Sequence, residues 1–237
     1  MSVPTNAGQT GTYNFSPAAS DLIIYAYSLI GLRPPDLETQ HYIDAGMAAN
    51  MVMVDLSNRN PHQYTLETQS ISLTQGTATY NLAQRTIAVS IVTISTTSGG
   101  VTIERTIGPI SAYEYFAQPI KASQAPPTSY FFQLAATPTL TFWPTPDVDS
   151  TYTAKVQSFR QNQDVDLTSL YGVDAPYRFL DVLATGIAAR LAQSYRPELA
   201  SGLYQLLANR MTLALGRDQE SVPLTILPNL SSYYRVY

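Results

Sequence analysis

The sequence contains no cysteine. That excludes disulfides and thiolate chemistry, and it leaves the redox compartment open. Charge is also scarce, since Lys, Arg, Asp and Glu make up 13% of the 237 residues, about half the ordinary share. Lysine occurs twice against eleven arginines, and the net charge is −4. A grip on nucleic acid needs a basic face that displaces counterions from phosphates, and no such face is written here. DNA near this chain is therefore expected to slide past without specific binding. No apolar run approaches the roughly 18 residues of a membrane span. The start, Met1-Ser2-Val3-Pro4-Thr5-Asn6, lacks the basic and apolar parts of a signal peptide. The expectation is a soluble chain with no membrane anchor, not exported by the usual route.

Catalytic groups are equally sparse. His41 and His62 are the only histidines, and neither has a His or acidic neighbour at metal-ligand spacing. A surface or capping role suits both better than a metal. Asp147, Asp149, Asp164 and Asp166 could suggest calcium or a glycosidase pair, but no following Gly or bidentate Glu completes a loop. Turn aspartates are the simpler reading. No Gly-x-Ser-x-Gly, phosphate loop or triad motif is present. The sequence argues for no enzyme, no metal and no cofactor.

What is present is 45% apolar content, enough for a core, together with 17 tyrosines. Tyrosine suits interfaces because its ring buries apolar area while its hydroxyl keeps a polar contact. A chain this poor in charge is expected to hide its flanks against partners, as a homo-oligomer.

Periodicity divides the chain. Residues 1–15 read as an N-terminal arm. Ser16-Pro17 predicts a helix start and Gly31 its stop, with Leu22, Ile23, Ala26, Leu29 and Ile30 at helical spacing. Asp36 is expected to cap a second helix that buries Ala45, Ala48, Ala49, Val52 and Leu56, completing a hairpin over 16–60. From Tyr64 the period becomes that of strands, separated by turns at Gln75-Gly76 and Ser98-Gly99-Gly100, with one helical turn near 110–116. Residues 64–160 thus predict an inserted antiparallel β-sandwich or barrel-like domain. Asp174 is expected to cap a third helix carrying Phe179, Leu183, Ile187 and Leu191. Arg196-Pro197 separates it from a fourth with Leu199, Leu203, Leu206 and Met211, so a second hairpin covers 174–217. Leu22, Leu29, Val52, Phe179, Leu183, Ile187, Leu191 and Leu206 are the expected core of the helical body. Residues 221–237 are too apolar for a solvated tail and too proline-broken for a helix. They predict a docking arm that presents Leu224, Ile226, Leu227, Leu230, Tyr233, Tyr234, Arg235 and Tyr237. The fold class is α+β: a four-helix body from the two terminal helix pairs, an inserted β domain and an extended C-terminal arm.

Certain runs are familiar in this order. They are Asp21-Leu22-Ile23 through Leu29-Ile30-Gly31, Gly76-Thr77-Ala78-Thr79-Tyr80-Asn81-Leu82, Thr139-Leu140-Thr141-Phe142-Trp143-Pro144-Thr145-Pro146-Asp147, and Asp174-Ala175-Pro176-Tyr177-Arg178-Phe179-Leu180-Asp181 leading into Thr185-Gly186-Ile187-Ala188. Over roughly residues 16–215 the chain resembles the head-to-tail adaptor proteins of tailed bacteriophages, especially the short-tailed kind related to tail tubular protein A and head-completion proteins. The resemblance implies a virion protein at the head–tail junction, assembled in the host cytoplasm. It implies a closed ring of about twelve copies beneath the portal protein, continuing the DNA channel and offering a platform for the next tail component, a nozzle or tail tube. Two other classes compete. One is a β-sandwich that binds host receptor or glycan through Trp143, Tyr130, Phe131 and Phe132. The other is a hydrolase using the aspartates or histidines.

Overall fold

A computed structural model of the chain describes residues 15–59, 62–98, 100–166 and 172–218. Among those residues the fold is α+β, with five α-helices and one seven-stranded sheet. The first helix, α1 (Ala19–Leu29), is not capped by Ser16. Ala18 bridges to Gly172 as a strand would, which holds it extended and delays the helix past Pro17. Its stop is the expected one. Gly31 takes a left-handed φ of +81°, and the Gly31 and Leu32 N–H groups donate to the carbonyls of Ser28 and Tyr27.

Asp36 does not cap the second helix, α2 (Thr39–Arg59). The rigid pair Pro34-Pro35 favours a tight turn, which takes Asp36 with it, and the Asp36 carboxylate accepts the Arg33 N–H. His41 caps α2 instead, its Nδ1 accepting the Glu38 N–H at 3.0 Å.

The strands β1 (Leu66–Ser72), β2 (Thr79–Asn81), β3 (Thr86–Ser98), β4 (Val101–Pro109), β5 (Ser129–Gln133), β6 (Thr139–Trp143) and β7 (Tyr152–Arg160) lie in the order β1-β7-β3-β4-β5-β6-β2. This corrects the expected antiparallel sandwich in two respects. β4 and β5 run parallel, with Gly108 opposite Ser129. A parallel pair needs a crossover of a dozen or more residues, and residues 110–128 supply one that contains the short helix α3 (Ala112–Phe116). Ser111 opens α3 by accepting the Glu114 N–H while the Glu114 carboxylate accepts the Ser111 N–H. Secondly, there are not two stacked sheets. Leu73, Val92, Leu140, Phe142 and Val156 come from far apart in the strand order, yet share one core, so a single mixed sheet curls upon itself.

The last two helices are α4 (Tyr177–Tyr195) and α5 (Pro197–Arg217). Asp174 does not cap α4, because Arg160 at the end of β7 captures its carboxylate with two hydrogen bonds of 2.5 and 3.0 Å. α1, α2, α4 and α5 contribute to one apolar cluster holding Val52, Phe179, Leu183, Ile187 and Leu191, with Leu29 half-buried against it. Leu22 is buried beside it with Leu180 and Ala184. Gly186 sets the closeness of α4 and α2, since a Cβ there would lie 3.1 Å from both Val52 methyl carbons. Leu206 is not in this core and is 38% exposed. α5 buries only Met211 and Ala214, and Leu206 stands roughly 110° round the helix from that line.

Candidate functional site

Two parts of the molecule stand out: a buried polar junction between helices and sheet, and outward apolar faces. The junction is built where α2 ends, β1 begins, α4 begins and α5 ends. His62 is 2% exposed, and its Nδ1 contacts Asp218 Oδ2 at 3.0 Å while its Nε2 contacts the Leu56 carbonyl at 3.1 Å. A ring facing two acceptors makes both bonds only when both nitrogens carry hydrogen. Arg178 donates to the other oxygen of Asp218 and lies over the rings of Tyr64 and Phe179. Tyr64 stacks on His62 at 5.3 Å, and burial pushes its hydroxyl up to about 12. The sequence reading missed this pairing because His62 and Asp218 stand 156 residues apart, and no local spacing signals such a contact. His41, by contrast, has the capping role expected and stacks on Tyr195 at 4.9 Å.

A second polar link lies beside it. Burial alone would raise the Asp174 carboxyl, but the bonds from Arg160 and from the Gln163 N–H outweigh burial and hold it below the usual carboxylate range. A depressed carboxyl stabilises the fold above its unfolded value and loses that contribution as pH falls through its folded value. Urea midpoints measured between pH 7 and pH 3 are expected to fall more steeply below about pH 4 in the wild type than in Asp174→Asn. Parallel curves would remove Asp174 from the acid response.

The proposed chemical residues are dispersed. Asp147 accepts the Tyr152 hydroxyl at 2.9 Å and Asp149 accepts the Gln75 N–H at 2.7 Å, so both serve turns. Among the described residues no group of three acidic or histidine side chains could hold a metal ion. The aromatic residues considered for glycan stacking do not share a face. Tyr130 is buried and Phe132 packs on the same core, while Phe131 turns the other way onto Tyr115. The Trp143 indole N–H is directed to the Ile120 carbonyl. The outward aromatic and aliphatic groups are others: Tyr113, Phe116 and Ile120 on and after α3. Their exposure had no sequence signal, because a single helical turn gives no periodicity to read.

On the helices, α2 exposes Ile43, Met47, Met51 and Val54, and α5 exposes Leu199, Leu206 and Leu213. No described helix is long and apolar enough to cross a membrane. The arm residues Leu224 to Tyr237 lie outside the described residues, as does nearly all of the N-terminal arm.

Extended apolar faces without assembled chemistry are what a building component needs. Residues 17–227 match the SU10 adaptor protein family. The chain belongs to that family. No curated protein matches it. This SU10 adaptor is thus a structural component of a phage particle, and its role is contact with other virion parts.

Proposed function

We propose that this adaptor forms a ring between the portal and the next tail component, a nozzle or tail tube. The ring, of about twelve copies, continues the DNA channel at the head–tail junction. Residues 16–60 and 174–217 make a four-helix body, 64–160 an inserted domain, and 1–15 and 221–237 the arms. The observation that carries this reading is a family adaptor whose helices expose two unlike apolar faces on a charge-poor chain. Heterologous contacts between unlike patches repeat until a rotation closes them into a ring. A net charge of −4 favours passage of DNA over its retention. Residues 221–237 dock on the portal or a neighbouring copy, and the exposed group Tyr113, Phe116 and Ile120 offers the sheet a contact with the next tail component. The protein needs no catalytic group or cofactor for this work.

Electron micrographs of the full chain with its cognate portal are expected to show an added ring at one end of the portal. Removing residues 222–237 is expected to weaken that attachment at least tenfold in sedimentation. Free, compact single chains at all concentrations, with and without portal, would overturn the reading.

A further inference from the structure

α2 is apolar on both sides. Ala45, Ala49, Val52 and Leu56 face the shared helical core. At 100° per residue, Ile43, Met47, Met51 and Val54 fall within an arc of roughly 80° on the opposite side, over about 17 Å of helix. All four are between 41% and 63% exposed. A surface helix ordinarily turns its polar side outward.

α5 carries a second stripe of a different shape. Leu199, Leu206 and Leu213 recur every seven residues, so they stand nearly in line over about 21 Å. Gly202 and Gly216 lie beside this row, and a Cβ at either would meet nothing within 4 Å. The result is a leucine ridge with a gap beside it at Gly202 and another past its end at Gly216, Asn209 standing between the two.

We propose that the α2 stripe of one copy packs against the α5 stripe of the next, and that this is the contact repeated round the ring. The inference rests on the ring reading and names its interface. Three observations select a second copy as the occupant. The stripes are similar in length, about 17 and 21 Å. They differ in shape, with adaptable methionines on α2 and a straight row of leucines on α5. They also differ in charge: within the subunit Arg59 pairs with Asp55, Arg210 with Asp181 and Arg196 with Glu198, which among the described residues leaves Asp44 on α2 and Arg217 on α5 outside any ion pair. Pairing like with like sets equal excesses together, and pairing unlike helices sets opposite ones together.

The absence of native cysteine makes the test direct. Full-length variants carry Met47→Cys with Leu206→Cys, or Met51→Cys with Leu206→Cys, the two covering a slip of one turn. After mild oxidation, alone and on the portal, a double variant is expected to give a ladder of linked dimers, trimers and larger species. Equal mixtures of single variants should stop at dimers, and each single variant alone should stay at least tenfold less linked. Oligomers in light scattering with no ladder from either double variant would overturn the contact while leaving the ring intact. Strong linking of Met47→Cys to itself would overturn it in favour of a two-fold pairing. Linking of Met47→Cys to Leu227→Cys in place of Leu206→Cys would assign the stripe to residues 221–237 and overturn it as well. Absence of both ladder and oligomers would remove the ring reading together with its interface.

Discussion

Replacing Asp218 with alanine is expected to destabilise the fold by about 3–5 kcal/mol, the range for breaking a buried ion pair by removing one partner. The Asp218 side chain is only 3% exposed and stands between His62 Nδ1 and Arg178. Alanine would leave two donors, one of them a permanent cation, facing an apolar gap. Arg178 is 21% exposed and its guanidinium lies near the rings of Tyr64 and Phe179, which keep it beside the gap. Asp218 is also the residue that closes α5, so the same change loosens the end from which residues 219–237 continue. Asparagine, which keeps the shape and one acceptor, should recover part of the loss. Urea unfolding is the measurement, with the midpoint falling and the slope unchanged. A loss below about 1 kcal/mol, the scale of exposed pairs, would mean that the junction is bridged by solvent.

The second large effect concerns the sheet. Phe142 is fully buried and meets the Tyr80 ring edge-on at 5.7 Å. Phe142→Ala is expected to cost about 3–5 kcal/mol through lost burial and the cavity left behind. The two main apolar clusters share no residue. The sole tryptophan, Trp143, sits on β6, whereas ellipticity at about 222 nm is dominated by the helices. The Trp143 fluorescence transition should therefore move to lower urea while the helical transition keeps its midpoint. Coincident movement of both would show one cooperative unit, and it would dissolve the division into a helical body and an inserted domain.

Periodicity made the helices and most strands legible, because Ala45 to Leu56 and Phe179 to Leu191 repeat at a spacing that only a buried helix face explains. Gly31 and Gly76 were readable as stops and turns, since both need positive φ. The failures have a common physical cause. Asp36, Asp174 and Ser16 were assigned caps by local rules, and each was captured by a competing turn, a distant arginine or a strand-like bridge. The parallel β4–β5 pair was hidden because pairing partners lie outside any local window. Leu206 was expected in the core because hydrophobicity alone does not tell the inward side of a helix from its outward side.

The β3–β4 hairpin reaches beyond the rest of the sheet at its tip. Val101 to Thr106 are exposed along β4, and the Thr97 and Thr102 hydroxyls bond to each other across the two strands. Thr96 is the last β3 residue opposite β7, so Thr97 and Ser98 pair only with Thr102 and Val101, and a two-stranded piece of that kind is marginal in water. That tip is cheap to bend, whereas the rungs from Thr93 to Thr96 are held on their other edge by β7. The tip yields to a load like a shim between rigid blocks, while Phe142 and the curled sheet around it hold still.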